Sequence, residues 1–156
     1  MGNMLSENYN IVHVLEAQDH NAGVDGDSFH AGRVNHFAIL LSFGELTGDA
    51  IFKVFSGATA GTKTTAETFR YRLSDSELKT ADGDTYAAWA TSAALTLTAA
   101  SYEDFLLVVE MDSDELTDAQ PWVTVEVGSE ASEIFVAIIA VATPRYMGHD
   151  VLTLIA

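Results

Sequence analysis

Apolar and polar residues alternate along much of this chain, and the period is two rather than three or four. In ETFRYRLSD, Phe69, Tyr71 and Leu73 fall on one face while Arg70 and Arg72 fall on the other. That spacing predicts a half-buried strand with a cationic outer face. DAIFKVFSG sets Ile51, Lys53 and Phe55 against Phe52 and Val54 and ends at Gly57. NHFAILLSFGEL reads as a strand closed by Gly44, and NYNIVHVLEAQD as a loosely alternating one. AALTLTA alternates again, and DFLLVVEMD is apolar on both faces, as a buried strand is. Pro121 opens WVTVEVG, and SEIFVAIIAVAT is a long apolar strand that must stop at Pro144, because proline breaks the ladder of a central strand. The small residues of YAAWATSA leave it open between helix and strand.

Between these runs lie turn-forming stretches: DHNAGVDGD, ATAGTKTTA, TADGDT and DSDELTDAQP. About eight strands punctuated by turns, with no long helical period, predict an all-β fold: a β-sandwich or jelly-roll-like single domain. Its expected limits are an N-terminal arm or edge strand over 1–20, a sandwich over 21–145, and an apolar C-terminal tail over 146–156. The tail, with Val151, Leu152, Leu154 and Ile155, either docks on its own domain or pairs with a neighbour's sheet edge.

Charge narrows the range of partners. The 156 residues carry 23 acids and 7 bases, net −16. Binding to a nucleic-acid backbone or an anionic membrane needs clustered Lys and Arg, and the chain has no such cluster, so neither is an expected partner. Residues 80–156 hold a single base, Arg145, directly after the last long strand. It either pairs with a nearby acid or marks the point where the tail leaves the domain. There is no cysteine, so thiol chemistry and disulfides are excluded. MGNMLSENYN has neither the basic start nor the apolar core of a signal peptide.

Candidate chemistry is sparse. Asp112, Asp114, Glu115 and Asp118 offer hard oxygen ligands for calcium, but the glycine and distal glutamate of an EF-hand loop are missing. His13, His20, His30, His36 and His149 show no metal-ligating spacing, although His20, His30 and His36 are near enough in sequence to converge. No GxSxG elbow or phosphate loop is present. These patterns predict no catalytic residues, no cofactor and no bound metal. Trp89 and Trp122 matter in another way: a solvent-exposed aromatic cluster around either one would suit stacking on sugars.

The order of several short motifs resembles a family of small head proteins of tailed bacteriophages. AQD at Ala17–Asp19 stands where the family has a PQD-like turn, with alanine in place of the proline. A G…TGDA turn follows from Gly44 to Ala50, then a TA…FRYR strand from Thr65 to Arg72, and the long apolar strand closes on PRY at Pro144–Tyr146. The resemblance runs over almost the whole chain. It implies a capsid decoration, or cement, protein: a virion component on the outer surface of the head, often a homotrimer. Such a protein bridges subunits of the phage major capsid protein, commonly with an extended terminal arm. On that reading Tyr9, Ile11, Val14, Arg70, Arg72, Arg145 and Tyr146 are the candidate capsid or subunit contacts. The competing expectation is a β-sandwich module of a phage tail or cell surface that recognises carbohydrate or a receptor. An enzyme would need the histidines or the acidic loop to converge in a pocket.

Overall fold

A computed structural model describes residues 5–20, 22–77, 80–128, 133–145 and 153–155. The described chain is all-β apart from short helical turns, the longest being α1 (Leu5–Asn8) and α2 (Ala99–Tyr102), each four residues. Strand β1 (Asn10–His20) is followed by the short β2 (Val24–Asp25) and β3 (Phe29–His30), then by the long β4 (Val34–Leu46) and β5 (Ala50–Gly57). Next come β6 (Thr65–Ala66), β7 (Phe69–Leu73), β8 (Ala90–Ser92) and β9 (Leu95–Leu97). The chain closes with β10 (Leu106–Asp112), β11 (Trp122–Gly128) and β12 (Ile134–Pro144).

These strands form two antiparallel sheets. The first runs β1-β12-β4-β10-β7-β8; the second runs β2-β11-β5-β6, with β3 also on β11 and β9 also on β5. Alternation decides which side of each strand is buried. Phe37, Ile39, Leu41 and Phe43 of β4 and Ile134, Val136, Ile138, Ala140 and Ala142 of β12 face inward from the first sheet. Val123, Val125 and Val127 of β11 and Ala50, Phe52 and Val54 of β5 face them from the second. Edge-to-face ring pairs join the two layers: Phe29 with Phe37 at 5.3 Å, and Phe52 with Phe69 at 5.2 Å.

Some elements differ from the sequence expectation. β4 does not close at Gly44 but continues to Leu46. Phe135 of the neighbouring β12 lies over that glycine, within 3.6 Å of where its Cβ would stand, so a cross-strand ring covers the gap. The 1–20 segment enters as the edge strand β1, and Val12, Val14 and Leu15 bind it into the core. Two register shifts bend it, between His13 and Leu15 and between Leu15 and Gln18. YAAWATSA becomes a stretch pinned to β7 that ends in the three-residue β8.

The described part of the tail lies on its own domain. Leu154 is buried, its carbonyl accepts the His30 N–H at 2.8 Å, and Ile155 bridges Phe29. The Thr153 carbonyl accepts from Arg33 at 2.9 Å. The idea that this apolar end leaves for a neighbour is therefore corrected for 153–155. A Leu side chain gains about 1.5–3 kcal/mol on burial, and a place in the same chain's core is the nearest one on offer.

A buried polar knot, hidden in the sequence among ordinary surface-type residues, ties three segments together. Glu67 accepts hydrogen bonds from the Ser56 hydroxyl and, at 3.0 Å, from the Thr117 N–H. The Ser56 hydroxyl also lies 3.0 Å from the side-chain amide of Gln120. A carboxylate this deep needs such donors to offset lost hydration.

Candidate functional site

The outer face of the six-stranded sheet is built by register. Residues opposite one another in antiparallel strands share a face, so the pairings assign whole rows across the sheet. One row runs His13, Ile139, Leu40, Val108, Arg72. The next runs Ile11, Val141, Ala38, Glu110, Arg70. On the other side lie Ala137, Ser42 and Leu106. In these rows the carboxylate is Glu110, and the row beyond Ala137 sets Asp19 opposite Phe135.

The same region holds most of the uncovered apolar surface. Of the eight exposed large hydrophobics among the described residues, Leu5, Tyr9, Ile11, Phe135 and Ile139 belong to α1, β1, the residue between them, or β12, while Ile51, Trp89 and Ile155 lie elsewhere. Ile11 is 50% exposed, Phe135 48% and Ile139 40%. β1 is also the edge of its sheet, paired with β12, and away from β12 the Asp27 N–H donates to its Val14 carbonyl at 2.7 Å. Clustered apolar exposure of this kind marks interaction surfaces, whereas scattered single residues do not.

A charged cluster borders the band. His36 lies between two carboxylates, with Nδ1 2.8 Å from Asp112 and Nε2 3.4 Å from Glu110. Arg70 reaches Asp112 at 3.2 Å and Glu115 at 3.4 Å. The His36 hydrogen bond, aided by the charges of His36 and Arg70, holds the Asp112 carboxyl below its usual range. Glu115 in turn accepts the Asp112 N–H at 2.8 Å. Asp112 and Glu115, which the sequence offered as calcium ligands, are thus engaged with protein donors. No metal-holding group of acids and histidines is found among the described residues.

At the far end of the first row stands Arg72. Its guanidinium carbon lies 4.5 Å from the Trp89 ring centre and 4.8 Å from that of Tyr86. Trp89 is 47% exposed. Trp122 is elsewhere, on the second sheet, edge-to-face with His30 at 4.9 Å. The two tryptophans therefore form no common platform. His20, His30 and His36 also take separate places, at the end of β1, in β3 and in β4.

The candidate contact residues divide clearly. Tyr9 and Ile11 lie at the exposed edge, and Arg72 ends the row that holds Ile139. Val14 is corrected: it faces inward at 2% exposure, because the alternation that exposes Ile11 and His13 buries Val12 and Val14. Arg70 is held within the domain by Asp112 and Glu115. Arg145 donates to the Ser113 hydroxyl at 3.2 Å, and its N–H to the Arg33 carbonyl at 3.1 Å, so it fixes the end of β12 to neighbouring loops. Tyr146 lies outside the described residues. Ile139 and Phe135 were not singled out from the sequence. Their signal was present: a strand apolar at every position must leave one side uncovered if no third layer exists.

Fold and surface together define a two-sheet, antiparallel β-sandwich with exposed apolar residues on the outer face of β1 and β12. No protein-family model matches the chain, and no curated protein matches it either. Among solved structures it is similar to the crystal structure of SPBc2 prophage-derived protein YomS, with a TM-score of 0.52 and 16% identity over 86% of this chain and 93% of that one. At that identity the likeness is one of fold.

Proposed function

We propose that the protein is a non-enzymatic structural component of a phage virion. It decorates the outer surface of the head and bridges subunits of the major capsid protein, as a homotrimer and without a cofactor. The observation that carries this reading is the band of exposed apolar side chains, Ile11, Phe135 and Ile139, on the outer face of β1 and β12 in the first sheet. In a chain of net −16, such a band is poorly suited to solvent and well suited to a docked protein surface. The ordered motifs shared with phage head proteins support it, and so does the fold likeness to a prophage-derived protein. Ile11, Phe135 and Ile139 are each already about half-buried, so covering them would supply about 1 kcal/mol each, multiplied over the many copies on a shell.

The test is co-sedimentation of the purified protein with expanded phage heads. Wild type is expected in the capsid pellet, and Ile139→Asp in the supernatant with its own fold intact. Wild-type protein that stays monomeric and ignores capsids overturns the reading.

A second reading, a carbohydrate- or receptor-binding module, draws on the exposed Trp89 ring. The Arg72 guanidinium already occupies one side of that ring. A glycan array with hits that Trp89→Ala abolishes would favour this reading over the first.

A further inference from the structure

We infer that Arg72, clamped between Tyr86 and Trp89, is the anchor of the docking face and receives a carboxylate from the protein that covers it. The inference rests on the docking-face reading and specifies the partner's chemistry at one point. The other described cations all have oxygen partners. Lys53 pairs with Glu126 at 3.6 Å, and Lys63 with Asp25 at 2.9 Å. Arg70 meets Asp112 and Glu115, Arg33 donates to the Thr153 carbonyl, and Arg145 donates to Ser113. Arg72 makes no hydrogen bond or ion pair with the described residues, and its Nε is buried without a partner.

A desolvated charged donor left without an acceptor is costly. In a chain with 23 acids, a local carboxylate would be easy to supply. Two aromatic rings stand there instead. Rings against a guanidinium cover its faces, and with Nε buried the two terminal amino groups are the donors left for bidentate capture of a carboxylate.

The clamp is rigid where it needs to be. Tyr86 bridges Ser74, the Ala87 N–H donates to the Leu73 carbonyl at 3.0 Å, and Ala90 pairs with Tyr71. Trp89 is therefore strung between two points tied to β7, the strand that carries Arg72. Opposite Arg72 across the ladder is Val108, an apolar residue already buried at 7% exposure. A partner lying on the band would exclude water at the guanidinium, where an ion pair gains most strength. The matching surface is apolar with one aspartate or glutamate at its border. A second copy of this chain fits less well, since each brings a net charge of −16.

The test uses the full chain, labelled with nitrogen-15, and two probes: N-acetyl-Leu-Asp-Leu amide and its Asn counterpart. The Arg72 Nε–H and Trp89 indole N–H signals should shift saturably with the Asp peptide. The Asn peptide should bind about tenfold more weakly, as expected for loss of a charge-assisted hydrogen bond. Arg72→Gln should abolish that preference while the variant keeps the dispersed amide spectrum of the folded wild type. Equal shifts with both peptides, or a preference that survives Arg72→Gln, overturn the anchor. The capsid assay separates the two ideas. Capsid binding without peptide preference sinks the anchor alone, and peptide preference without capsid binding sinks the docking-face reading alone. Self-association in sedimentation velocity that Arg72→Gln abolishes would overturn the choice of a foreign partner.

Discussion

Replacing Leu154 with alanine tests whether the C-terminal segment belongs to the domain. Leu154 is 3% exposed and part of the core, although it stands two residues from the end of the chain. Truncating a buried leucine to alanine costs about 2–5 kcal/mol, and the lower end applies where the surroundings can collapse. Leu154 lies at the margin of the core, beside Ile155 at 46% exposure, so its surroundings can collapse and the expected loss is about 2 kcal/mol. For a domain of this size that lowers the melting temperature by about 4–8 °C. Deleting 153–156 should cost about 2 kcal/mol more, because the His30 N–H loses the Leu154 carbonyl and Arg33 loses the Thr153 carbonyl. Urea unfolding and calorimetry, each at two protein concentrations, read the result. An unchanged melting temperature in Leu154→Ala would refute the docking of the tail. A loss that appears only at high protein concentration would mean that the tail sits in another subunit.

Gly57→Ala should cost about 3 kcal/mol or more in urea unfolding, because a Cβ there would lie 2.3 Å from the Thr62 carbonyl oxygen, a backbone atom that cannot swing aside. The Lys63 hydrogen bond, then the Lys63 and Lys53 charges, lower the Glu126 pKa; the folded state then binds that proton less tightly than the unfolded one. Its contribution is present above the ordinary carboxylate value of 4.5 and fades as pH falls through the lower folded value. Lys63→Met should remove about 1 kcal/mol at neutral pH and flatten the acid limb of the stability profile. His30 titrates below its ordinary value of 6.5, chiefly because burial disfavours the charged ring and secondarily because Arg33 is near. The unfolded chain therefore takes up the proton first, and stability should decline as pH drops below 6.5 until the folded value is reached. His30→Gln should remove that segment of the pH dependence in urea titrations.

Much of the architecture was legible in order along the chain. β5, β7, β10 and β11 lie where the alternation put them, because a strand's two faces are written locally in a period of two. The short β2, β3, β6 and β8 were not legible. Two or three residues carry no readable period, and their state is set by the strand they happen to lie against. At the candidate site the cationic face of β7 was visible as Arg70 and Arg72, but their different fates were not. Arg70 meets acids from β10 and the turn after it, while Arg72 meets rings from the 86–89 segment.

The sequence by itself determined the all-β class, the acidity and the inward and outward faces of the long strands, since each follows from composition or neighbour spacing. Tertiary structure alone decided which outward faces are covered. It placed β1 and β12 at one margin of the six-stranded sheet, and so exposed Ile11, Phe135 and Ile139 together. It returned Leu154 to the core, tied Arg145 to Ser113, and left Arg72 between two rings without a carboxylate. The physical reason is that coverage and pairing depend on residues far apart in the chain. A period of two gives each strand two faces, but only the order of strands in the sheet determines what, if anything, lies against them.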